Sequence, residues 1–74
     1  MANIAEIREH MEVVGLDGQH VGTVDHLEGN RIKLTKNNPM AGGQHHYIDM
    51  DAVDRVENQQ VRLRQPAQQV MQMW

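Results

Sequence analysis

The chain has no cysteine and no phenylalanine, and only one tyrosine, one tryptophan and two prolines among its 74 residues. Without cysteine it can form no disulfide, thiolate metal site or thiol nucleophile, and a reducing compartment is its natural setting. Serine is missing as well, which removes the other common nucleophile. With so few aromatic rings there are no platforms on which bases could stack, and the core has to be built from Val, Ile, Leu and Met. Apolar runs are short, Val13-Val14 being typical, far below the roughly 20 residues a membrane-spanning helix needs. The first residues, Met1 to Glu6, lack the basic and apolar regions of a signal peptide. A soluble cytoplasmic protein with no membrane partner is expected.

Positive charge is also scarce. Seven Lys and Arg stand against ten Asp and Glu, a net charge of −3, and Arg31, Lys33 and Lys36 form the only local basic cluster. That is poor footing for a phosphate backbone, so nucleic acid is a weak partner class. A chain this short is one domain, residues 1–74. It buries only about 60% of the surface it exposes when unfolded, so its stability is marginal or borrowed from association.

Turn signals organise what is there. Asn3 and Glu6 make a capping box, and Ile4, Ile7 and Met11 recur at helical spacing, which predicts a short N-terminal helix. The period then changes. Met11 to Gly15 and Gln19 to Val24 flank Asp17-Gly18, and Val21 to Glu28 and Arg31 to Lys36 flank Gly29-Asn30, so two hairpins share a middle strand. The second turn places Leu27 opposite Ile32 and Glu28 opposite Arg31. Because Val21, Val24 and Leu27 are spaced by three, a regular strand cannot send all of them inward, and a bulge is expected. Residues 35–44 are the one long irregular connection. His45 to Met50 reads as a strand, Asp51 to Val53 as a corner with Asp51 as its cap, and Arg55 to Arg64 as a last hairpin around Asn58-Gln59. Pro66 opens a final helix that carries Ala67, Val70, Met71 and Trp74 on one face. The expected core is Val14, Val21, Val24, Leu27, Ile32, Leu34, Ile48, Val53, Val56, Val61 and Leu63. Together these elements predict a mostly β fold, a small strongly coiled antiparallel sheet or barrel with short N- and C-terminal helices.

The segments Glu9 to Gly15, Asp17 to Asp25, Gly42-Gly43-Gln44-His45-His46-Tyr47-Ile48 and Val53 to Val56 resemble a family of small bacterial proteins of unknown function, similar in turn to PRC-barrel domains. The similarity runs from about Ile7 to Trp74. It implies a compact β-barrel module whose wider relatives serve in docking and assembly, in a photosynthetic reaction-centre subunit, a ribosome maturation factor and stress-associated proteins. No catalytic residues come with it.

The stretch that could hold chemistry is Gly42, Gly43, His45, His46 and Tyr47. Paired imidazoles can ligate a metal, move a proton, or hydrogen-bond a loop to the body of the domain. Adjacent strand residues point to opposite faces, so His45 and His46 do not chelate one ion unaided; a metal would need His20, His26, Asp25, Asp49 or another chain. The structural role is preferred, one ring tying down the glycine loop, with His46→Ala as its test. No cofactor is expected. Gly42-Gly43 precedes a strand and lacks a phosphate-loop lysine. At the other end, the large apolar side chains among Met71, Met73 and Trp74 exceed what one short helix face hides, which points to a protein partner or a homo-oligomer built on Ala67, Val70, Met71 and Trp74. A non-enzymatic module working through protein contacts and self-association is expected. The alternatives are a metal- or ligand-binding protein centred on His45 and His46, and a ribosome- or RNA-associated adaptor.

Overall fold

The computed structural model describes residues 6–36 and 45–72. Six strands follow one another: β1 (Glu12–Val14), β2 (His20–Glu28), β3 (Arg31–Leu34), β4 (Tyr47–Asp49), β5 (Val53–Glu57) and β6 (Gln60–Leu63). A 3-10 turn, Met50–Ala52, joins β4 to β5, and a helix, α1 (Ala67–Gln72), closes the chain. The strands form one sheet in the order β4-β3-β2-β1-β6-β5. Its two edge strands are therefore consecutive in sequence. A connection as short as Met50–Ala52 can join them only if the sheet curls until its edges meet at one corner. No ladder links β4 to β5, and the sheet stays open rather than closing into the expected barrel.

The registers follow from the turns. Across Gly29-Asn30, Leu27 pairs with Ile32 and Glu28 with Arg31. Asn58 and Gln59 both take left-handed conformations (φ 51° and 62°), the combination a tight two-residue hairpin requires, and the register places Glu57 opposite Gln60. The irregularity expected in β2 occurs twice. Against β1 the register slips past Val21, and against β3 it slips past Asp25. Each slip is a bulge, and together they let Val21 and Val24 both face the core.

Two expectations are corrected. The sheet is mixed rather than antiparallel, because β1 and β6 run parallel, with Val13 beside Val61. The N-terminal helix does not run as far as expected: Glu6 is in a 3-10 turn, residues 7–11 are not helical, and Asn3 and Ile4 lie outside the described residues. His10 takes φ 71° and donates its N–H to the Val24 carbonyl at 2.9 Å, while the Met11 carbonyl accepts the Val24 N–H at 2.9 Å. These residues extend the ladder along β2, and that pairing overrides helical spacing. Ile7 still delivers its side chain to the core, only 5% exposed.

The core cluster combines Ile7, Val13, Val21, Val24, Ile32, Leu34, Ile48, Val53, Val61, Leu63, Ala67 and Val70. Leu27 and Val56 sit half-buried at its rim instead of inside it. Val14 is buried as expected, and Val13 is the β1 residue that joins this cluster. Val14 belongs to the opposite face of its strand, where it pairs with Arg62 of β6. Asp51 lies inside the 3-10 turn and does not cap it; Asp49 holds the cap position without a side-chain hydrogen bond. Helix α1 begins just after Pro66, whose carbonyl accepts the N–H groups of Gln69 and Val70. It is seated by the first hairpin turn: Asp17 Oδ1 accepts the Ala67 N–H at 3.3 Å, and the Leu16 N–H donates to the Gln65 carbonyl at 2.9 Å.

Candidate functional site

The outward faces of β2, β3 and β4 carry polar side chains that reach one another. His45 stands just before β4, and its Nδ1 lies 2.8 Å from the Leu34 carbonyl oxygen, to which the ring N–H donates. The Leu34 N–H in turn donates to the His46 carbonyl at 2.8 Å. One imidazole thus pins the chain leaving the 37–44 segment onto the end of β3. This contact is between His45 and the end of β3. His46 is half-buried and has interactions of its own. Gly42 and Gly43 lie outside the described residues.

The bulge at Asp25 shapes the neighbourhood. It brings Asp25 Oδ2 to 3.8 Å from His45 Nδ1 and Asp25 Oδ1 to 3.8 Å from His26 Nδ1. His26 Nε2 pairs with Glu28 Oε1 at 3.0 Å, and Lys33 Nζ approaches the same oxygen at 4.0 Å. The Arg31 guanidinium stacks over the Tyr47 ring, 4.6 Å from its centroid. The Glu28 carboxyl is held below its usual value of 4.5, first by the His26 hydrogen bond and then by the charge of Lys33. The basic cluster of β3 is therefore interleaved with acid, and no bare cationic stripe runs along it.

A second network lies on the same outward side, over β1 and β6. Glu12 accepts from His20 Nδ1 at 2.9 Å and from Gln60 Nε2 at 2.8 Å, and these bonds, His20 first, lower its pKa. Glu57 Oε1 lies 3.1 Å from Arg55 Nε and 3.3 Å from Arg62 Nε. The Arg62 Nε is buried without an aligned hydrogen bond, so Coulomb attraction rather than a directed bond holds it there. Arg62 Nη1 does donate to the Leu16 carbonyl at 3.0 Å. Among the described residues no group of three or more His, Asp or Glu side chains is placed to hold a metal ion. Asp25 does come between His26 and His45, as the metal alternative would ask, but the His45 nitrogen that faces it is already committed to Leu34.

Both lowered carboxyls give a pH test. A carboxyl depressed in the folded state contributes stability above its unfolded pKa and loses it as pH falls through the folded value. Glu12 and Glu28 are thus expected to leave thermal stability level at neutral pH and to weaken it progressively below about pH 4.5. Glu12→Gln is expected to flatten part of that acid slope in melts recorded from pH 7 to pH 3. Superimposable slopes for the two proteins would remove Glu12 from the account.

The terminal face divides. Ala67 is fully buried and Val70 is 6% exposed, so both are spent against the chain's own sheet; Met71 packs half-buried beside them. Trp74 lies outside the described residues. Large exposed apolar side chains among the described residues are Leu16 and Tyr47. Tyr47 lines a groove of about 420 Å³ together with Ile48, Asp49, Ala52, Arg64 and Val70. This groove was not foreseen from the sequence, because nothing local to Tyr47 says that its strand is an edge.

The family model for an uncharacterized protein conserved in bacteria, DUF2171, matches residues 7–71, which includes every strand and nearly all of α1. The chain belongs to the DUF2171 family. No curated protein matches it. Family membership agrees with the resemblance seen in the sequence to a small bacterial family of unknown function. Among the described residues of this DUF2171 chain, no helix is long and apolar enough to cross a membrane.

Proposed function

We propose that this DUF2171 protein is a non-enzymatic, PRC-barrel-like module that works through protein contacts, self-association included. The observation that carries this reading is the open edge of the sheet at β4. Its strand lines an apolar-floored groove, and its Tyr47 remains 38% exposed. Small single domains gain buried area by association that they cannot gain alone. The curled sheet, with both edges meeting at Met50–Ala52, supports the barrel-like kinship. The imidazoles are built into hydrogen-bonded pairs with Leu34, Glu28 and Glu12, which favours a structural role for them over chelation.

Native mass spectrometry of the purified protein tests this directly, since subunit number and bound metal are read together. An oligomer without metal is the expected result. Stoichiometric metal that survives dialysis and disappears in His45→Ala would move the function to the histidines. In its structural role His45→Ala is expected to cost about 1 kcal/mol in urea unfolding, the net worth of one ordinary hydrogen bond. A variant as stable as the parent would show that the Leu34 contact does not fasten the loop.

A further inference from the structure

The hydrogen-bond pattern decides which way the backbone of β4 faces. In an antiparallel pair, alternate residues exchange both backbone bonds with the partner strand, and those between them point away. The Leu34 N–H donates to the His46 carbonyl and the Met50 N–H to the Asn30 carbonyl, while Ile48 lies directly opposite Ile32. Residues 46, 48 and 50 therefore turn their backbone groups toward β3. Tyr47 and Asp49 turn theirs away from β3, toward the open edge.

The two edges of the sheet differ in how they are guarded. Along β5, Asp54, Arg55 and Glu57 supply charge, and a register slip between Val53 and Arg55 bends the strand; charge and bulges are devices that discourage edge pairing. Along β4 the run is Tyr47-Ile48-Asp49, with one charge, no bulge and an exposed aromatic ring. It is the edge fit to take another strand.

Resting on the self-association reading above, we infer that the strand it takes is β4 of a second copy, antiparallel, about a two-fold axis at Ile48. In that register Tyr47 faces Asp49 of the second copy. Both are the residues whose N–H and C=O point outward, so each exchanges a pair of backbone hydrogen bonds with the other, and the axis repeats them. Ile48 meets Ile48 of the second copy as the close, non-bonded pair that such a ladder places between bonded ones. The side-chain row is complementary as well. Asp49 of the second copy enters the row of Tyr47 and its cross-strand neighbour Lys33, beside the Arg31 guanidinium stacked on the Tyr47 ring. An interface in which each patch meets its own copy is the closed arrangement commonest in homo-oligomers.

Asp49→Pro tests the edge with little disturbance to the monomer. Asp49 has φ −68° and ψ 145°, the angles proline prefers, and its N–H has no partner within its own sheet. The residue before it is in a strand, as proline also requires. By analytical ultracentrifugation the parent is expected to associate at about 100 μM, and Asp49→Pro to weaken that association at least tenfold while melting normally when dilute. Amide exchange of Tyr47 and Asp49 in the parent is expected to slow as protein concentration rises. Should the proline variant fail to fold, Tyr47→Glu, which sets two carboxylates opposite each other across the axis, is expected to weaken association by a similar factor. Association that persists unchanged in the folded variant would overturn the β4 edge and leave self-association through another face. A parent that stays monomeric at about 1 mM would overturn self-association and the edge together, and protection of those two amides only on adding an unrelated extended peptide would replace the second copy with a heterologous strand.

Discussion

Gly15→Ala is expected to lift α1 off the sheet and to lower stability by about 3 kcal/mol, the upper range for forcing extra volume into a packed site. A β-carbon on Gly15 would stand 2.2 Å from the Ala67 nitrogen and 2.8 Å from its α-carbon. Those are backbone atoms at the start of α1 and cannot rotate aside as a side chain would. Relief requires the helix to move, and the move breaks the Asp17 bond to the Ala67 N–H and uncovers Ala67 and Val70, which close the core. Gly18, three residues on, is the control. It has φ +82° and nothing within 4 Å of where its β-carbon would go, so Gly18→Ala suffers backbone strain alone, about 1 kcal/mol. Urea unfolding of the two variants separates crowding from strain. Equal losses would mean that α1 yields freely and that the contact at Gly15 does not set its position.

Much of this fold could be read because its pairings are local. Gly29-Asn30 determines that Leu27 meets Ile32, and the three-residue spacing of Val21, Val24 and Leu27 demands a departure from regular pleating, which appears as bulges at Val21 and Asp25. What could not be read is long-range. Glu12 and Gln60 are 48 positions apart, and their parallel pairing leaves no mark in either segment, so neither the mixed sheet nor the strand order was visible. The edge character of β4 depends on that order and was hidden with it. At residues 7–11 the helical spacing lost to a stronger competitor, since the backbone bonds of His10 and Met11 to Val24 satisfy groups that a short helix end leaves unpaired. At the histidines only the residue types could be read: the His45 contact with the Leu34 carbonyl depends on where β3 ends, and Asp25 comes near His45 beside a register slip in β2 that no local pattern places there.

Val24→Asp is expected to abolish cooperative unfolding altogether. Val24 is fully buried in the longest strand of the sheet, the strand that packs against β1, β3 and α1. An unpaired carboxylate there costs several kcal/mol, against a total stability of about 5 to 15 kcal/mol for an ordinary domain and less for a small one. Its backbone makes the position harder still to abandon, because the same residue bonds both His10 and Met11 and so anchors the N-terminal segment. Rim positions supply the comparison. Leu27 and Val56 are half-buried, so a carboxylate at either can reach water, and Leu27→Asp and Val56→Asp are expected to keep a sigmoidal melt at reduced temperature. Near-ultraviolet circular dichroism and thermal melts of the three variants read the contrast. A Val24→Asp protein that melts cooperatively, no worse than the rim variants, would show that the interior of this sheet is wet enough to solvate a charge, and the core as described would be wrong.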